Sequence, residues 1–183
     1  GHTMLSLVKQ NIEYEILGQT TDDAAGEAFD KVARYLNIPM PGGPSIEKYA
    51  TLNKSEPVNF KSPVLHSHNL NFSFSGIKTA VQFYVKSLKE EEKEKKLPEI
   101  ADGFQKAVVK VLVEKTLKAV EKYKIFTVSI NGGVAANKLL RNLLKDKLES
   151  IGGFLYMPSI GLCTDNAAMV AGLAGSIVPM QLT

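Results

Sequence analysis

Tryptophan is absent from this sequence, cysteine occurs once and histidine three times in 183 residues. Each scarcity closes off a class of protein. A single thiol, Cys163, cannot form an internal disulfide framework, and its solitude fits a reducing compartment. His66-Ser67-His68 sets two imidazoles two residues apart, as a shared ion on an extended segment would need. No carboxylate or cysteine nearby completes a ligand set, so these read as loop histidines. No apolar run approaches the ~20 residues that would span a bilayer. Gly1-His2-Thr3-Met4 shows no basic stretch followed by an apolar one, so no secretory signal is expected. A dominant charge is missing as well. The 22 Lys and Arg against 19 Asp and Glu leave a net +3, which permits nucleic-acid binding without indicating it. What is present, 44% hydrophobic and 22% charged residues, is the make-up of a soluble, cytoplasmic globular chain with a real core.

The most informative stretch runs from Ile125 to Lys147. Ile125-Phe126-Thr127-Val128-Ser129-Ile130 has the composition of a buried strand. Asn131-Gly132-Gly133 then turns into Val134-Ala135-Ala136-Asn137 and a Leu-rich helix from Lys138. Glycine lets a ligand approach the backbone there, and the amides and positive dipole end of the next helix attract an anion or a polar ring. A tight connection in any α/β protein would look the same.

Earlier in the chain, Met4–Val8 and Ile12–Gly18 pattern as an antiparallel pair, with Ile12, Tyr14 and Ile16 predicted on one buried face. Thr21 or Asp22 can cap a helix predicted over Asp22–Leu36, whose Ala25, Phe29, Val32 and Leu36 share one side. Asp23, Glu27 and Asp30 form an acidic stripe opposite. It reads either as a contact for a hydroxylated or cationic ligand, or as a solvated face paired Glu27–Lys31 and Asp30–Arg34. Pro39 to Pro44 reads as a rigid loop ahead of a short helix from Ser45 to Leu52 that contains Glu47. Asn53–Asn71 is irregular, Phe72–Gly76 alternates as a strand would, and Ile77, Val81, Tyr84, Val85 and Leu88 mark a helix. Four lysines and four glutamates cancel over Lys89–Lys96, and Leu97-Pro98 restarts a long helix to about Lys122, apolar over half its circumference and so packed on two sides. Lys138, Arg141 and Lys145 share a face that either meets phosphates or is merely solvated. Phe154–Met157 reads as a second buried strand. Cys163-Thr164-Asp165-Asn166 opens a helix of small residues suited to lie close to a sheet or lobe. Asp165 is either its N-cap, which spacing favours, or a metal-facing carboxylate.

Six of these segments, in order, resemble one family. They are Gly1-His2-Thr3, Asp22 through Lys31, Pro41-Gly42-Gly43-Pro44, Phe72 through Thr79, Asn131 through Asn137, and Cys163-Thr164-Asp165-Asn166. Together they look like the bacterial form of the TsaD/Gcp family, the tRNA N6-adenosine threonylcarbamoyltransferases once described as O-sialoglycoprotein endopeptidases. The resemblance implies an α/β ASKHA fold, the RNase H-like two-lobed architecture of actin and sugar kinases. This chain would be the second, C-terminal lobe over 1–183, with a helical subdomain at 38–124 and most of the first lobe absent. It also implies the reaction: threonylcarbamoyl passes from threonylcarbamoyl-AMP to N6 of the adenosine 3′ of the anticodon in tRNA.

By matching positions, Gly1 and His2 would lie at the phosphate or acyl part of the adenylate, with Asp30, Gly43, Glu47 and Asn137 around its ribose and base. Asp165 would be one ligand of a divalent iron or zinc ion. The family's phosphate loop and its His-x-x-x-His pair have no counterpart in this sequence, and one carboxylate falls short of the roughly three protein ligands such a site needs. The polypeptide alone is therefore expected to be inactive. Implied partners are tRNA, a TsaB-like paralogue and a TsaE-like ATPase, with self-association through an exposed lobe face. A non-catalytic lobe serving as a scaffold is the rival reading. A metalloprotease is disfavoured, because no His-Glu-x-x-His is present.

Overall fold

The computed structural model describes residues 2–9, 13–62 and 67–177, so Gly1, Ile12 and His66 lie outside the described residues. The order of elements is β1 (Met4–Val8), β2 (Tyr14–Gln19), α1 (Ala25–Tyr35), α2 (Gly42–Ala50), α3 (Ser75–Ser87), α4 (Glu90–Tyr123), β3 (Thr127–Ser129), α5 (Lys138–Glu149), β4 (Phe154–Tyr156) and α6 (Ala167–Ile177). The chain is α/β. β1 and β2 pair antiparallel, and β3 and β4 pair parallel through the α5 crossover.

The 34-residue α4 is the spine. Ile100, Phe104, Val108 and Val111 face a core shared with α1, α2 and α3, in which the Phe29 and Phe104 rings meet edge to face at 5.1 Å. Val109, Val113 and Val120 face a second core with Leu140, Leu144 and Leu148 of α5 and Leu155 of β4. Apolar side chains around most of a helix require a partner on each side, which is the arrangement expected for this helix.

Several expected boundaries and burials are corrected. The charged run before Pro98 does not end a helix: α4 begins at Glu90 and carries Pro98 within it. Glu92 folds back so that Oε2 accepts from the Lys89 N–H at 3.0 Å, which supports the first turn. Gly42, Gly43 and Pro44 are the first turn of α2 rather than a loop; proline suits that position because its missing N–H would have no partner there. Phe72–Gly76 is not a strand. Phe72 makes one isolated bridge to Thr20, and Phe72 and Phe74 are both buried while α3 starts at Ser75.

The two strands expected to be buried are each covered on one face only. Val128 and Leu155 turn toward α5, whereas Phe154 and Tyr156 are 57% and 59% exposed. Tyr14 and Ile16, expected inside, are 66% and 50% exposed. A two-stranded sheet backed by one layer leaves alternate side chains uncovered. The small-residue helix α6 is likewise exposed over 167–175 instead of lying against a sheet. Among the described residues, no helix is long and apolar enough to cross a membrane.

Candidate functional site

A cleft of about 940 Å³ lies where the two cores meet. α1 and the start of α2 line one side; β3, the turn Asn131–Ala136 and α5 line the other, with Leu112 and Thr116 of α4 between them. Of the residues expected at a site, His2, Asp30, Gly43, Glu47 and Asn137 all border this cleft. Asp165 does not, although Ile160 and Thr164 do.

Three of the expected residues, Asp30, Glu47 and Asn137, are anchored to the backbone of another element or of their own helix. Asp30, in the second turn of α1, accepts the Gly42 N–H on Oδ1 at 2.8 Å, so the expected Asp30–Arg34 pair gives way to a junction between α1 and α2. A Cβ on Gly42 would stand 2.5 Å from the Phe29 carbonyl oxygen, so this junction requires glycine; a Cβ on Gly43 meets open space. Glu47 reaches across 91 positions to accept the Lys138 N–H on Oε1 at 2.7 Å. Buried Asn137 caps α5, its Oδ1 accepting from Leu140 N–H at 2.9 Å, and its Nδ2 donates to Gln105 Oε1 at 2.8 Å.

The amides at the start of α5, expected to draw an anion from solution, are thus partly taken. Glu47 supplies the negative charge that this end of the dipole favours. Asp30 and Glu47 both border the cleft, and Asp30 Oδ2 and Glu47 Oε2 have no hydrogen-bond partner among the described residues. Gly132, at φ +89°, gives the turn its left-handed corner, a conformation costly for a residue with a Cβ.

The rest of the acidic stripe is held in ion pairs, although Glu27 also borders the cleft. Asp23 is held by Lys31 at 2.5 Å and by Lys78, and Lys31 also pairs with Glu27 at 2.7 Å, the expected i,i+4 contact. Burial works to raise the Asp23 carboxyl, but the two lysines overcome it and hold it below its ordinary value. The hydrogen bonds that Lys31 donates to Asp23 and Glu27 push its ammonium pKa upward. Asp22 does not cap α1. It accepts from the N–H of Phe74 at 2.8 Å and of Ser75 at 3.3 Å and from the hydroxyls of Ser73 and Ser75, so it caps α3; α1 is capped by Thr3 Oγ1, which accepts from Ala25 N–H at 2.9 Å. Burial of Asp22 opposes those four donors, and the donors win, so its carboxyl also sits low.

Asp165 is exposed and does not cap α6; Asn166 Oδ1 accepts the Met169 N–H at 3.0 Å in its place. No three His, Cys, Asp or Glu side chains converge among the described residues. With Asp165 alone and solvated, these residues do not make a metal site by themselves. Arg141, expected to be solvated or facing phosphate, is turned onto protein carbonyls. Gln105, which holds Asn137, carried no signal; Thr3 and Gly42 stood in quoted motifs, but nothing local revealed their partners Ala25 and Asp30, because spacing has no period for such bonds.

The family model for TsaD, tRNA N6-adenosine threonylcarbamoyltransferase, matches residues 1–172. The chain belongs to this family. Proteins carrying that name include one from Syntrophomonas wolfei, 47% identical over 174 residues, covering 95% of this chain and 51% of the relative. One from Thermosipho melanesiensis is 49% identical over 171 residues, covering 93% and 51%, and one from Dictyoglomus turgidum is 47% identical with the same coverage. The chain spans about half the length of these relatives.

Proposed function

We propose that this chain forms the adenylate-holding wall of a tRNA N6-adenosine threonylcarbamoyltransferase, as the C-terminal lobe of an ASKHA fold with 38–124 as its helical subdomain. The observation that carries the proposal is the convergence of five expected positions, His2 to Asn137, on one cleft. Two outward carboxylate oxygens fixed by bonds to Gly42 and Lys138 suit the paired hydroxyls of a ribose, because a pre-set acceptor loses little entropy on binding. Gly43 leaves space beside them, and the apolar wall of Leu112, Val134 and Leu140 suits a base. The acyl donor would be threonylcarbamoyl-AMP and the acceptor a tRNA adenosine, with a TsaB-like paralogue and a TsaE-like ATPase as partners. A divalent ion, iron or zinc, would need donors beyond Asp165, so no step is assigned to it.

The test is transfer of threonylcarbamoyl to tRNA by the chain alone and by the chain supplied with the N-terminal half of a full-length relative. No transfer in the first case and transfer in the second is expected. Stable pairing of the two halves without transfer overturns the catalytic reading in favour of a scaffold lobe.

A further inference from the structure

Arg141 is the one arginine of α5, and its bonds run to backbone carbonyls and a sulfur. Its Nη1 donates to the Ala135 carbonyl at 2.8 Å, its Nη2 to the Pro158 carbonyl at 2.6 Å, and Nη1 also lies 3.5 Å from Cys163 Sγ. Ala135 belongs to the glycine turn, and Pro158 and Cys163 belong to the 158–164 segment that supplies Ile160 and Thr164; both pieces wall the cleft. No strand pairing joins them, since the β3–β4 ladder ends at Ser129 and Tyr156. The two come close at Gly133, where a Cβ would stand 3.9 Å from Thr164 Cγ2.

We propose that Arg141 is a positioning residue that ties the glycine turn to the 158–164 segment and so sets the shape of the cleft wall. This rests on the adenylate reading of the cleft. The planar fork of a guanidinium reaches two carbonyls at once, and a lysine ammonium satisfies one of them with poorer geometry. Arg141 acts through the backbone it holds and touches no substrate.

Cys163 is the only cysteine of the chain and is buried, so its reaction with an aromatic disulfide reagent reports opening of this segment. In Arg141→Met the full chain is expected to label about tenfold faster, the loss of one charge-assisted bond, with Arg141→Lys in between. AMP and adenosine binding, read by calorimetry, are expected to weaken together, because the wall shapes the site for the nucleoside. Labelling at the wild-type rate in both variants overturns the proposal. So does a loss confined to AMP with adenosine unaffected, which would make Arg141 a phosphate ligand. If Arg141→Met fails to fold, the Arg141→Lys labelling rate decides the question in its place. Absence of nucleotide binding by the wild type would sink the adenylate reading, while the labelling rates would still decide the role of Arg141.

Discussion

Asp22 accepts both backbone amides and both serine hydroxyls at the start of α3. Asp22→Ala is expected to cost about 1–2 kcal/mol in urea unfolding at pH 7. Because the folded-state pKa values of Asp22 and Asp23 are depressed, native protein binds fewer protons than unfolded chain in the acid range. Their contribution is complete above the ordinary aspartate value and is lost as pH falls through the lower folded values. The gap between Asp22→Ala and wild type should therefore shrink between pH 5 and the most acidic pH at which both still fold; a constant gap would contradict this. Lys115 is another residue that periodicity conceals. It is fully buried, with Nζ donating to Ser67 Oγ at 2.7 Å and to the Asn69 carbonyl at 2.6 Å, and burial pushes its pKa down. Spacing in a sequence shows neighbours three or four positions apart; bonds spanning about fifty or ninety positions, such as those of Asp22, Lys115 and Glu47, leave no such trace.

The helices were legible because each has a face to bury: Ala25, Phe29 and Val32 in α1, Ile77, Val81 and Val85 in α3, and the doubly apolar α4. Their starts were less so. α1 is capped by a threonine from β1's flank and α3 by an aspartate from α1's flank, so the local capping signal pointed to the wrong place. The glycine pair at the start of α2 separates fold from site. Gly42→Ala forces a Cβ into the Phe29 backbone and is expected to destabilise by about 1–3 kcal/mol. Gly43→Ala has room, so thermal melting should barely move while AMP binding weakens. Equal losses of stability in the two variants would refute this division.

At the scale of the whole molecule, two cores on one spine place the cleft, and the strands that were expected to be buried stand open on one face. Tyr14 and Ile16 on one sheet and Phe154 and Tyr156 on the other are apolar side chains facing solvent on two-stranded sheets with no third strand among the described residues, the surfaces through which chains associate. We propose self-association through these faces, and light scattering over a dilution series should show mass rising with concentration; a monomer throughout would count against it. Strand composition shows that a residue is suited to burial, and only the layers actually present determine which face receives cover. The central claim, that the cleft grips an adenylate, is tested most directly by titrating AMP into the chain and into Asp30→Asn and Glu47→Gln, each of which can keep the anchoring oxygen and replace the outer one. The account predicts one AMP per chain, with affinity about tenfold or more weaker in each variant, as loss of a charged hydrogen bond requires; no AMP binding, or equal affinity in all three proteins, would contradict it.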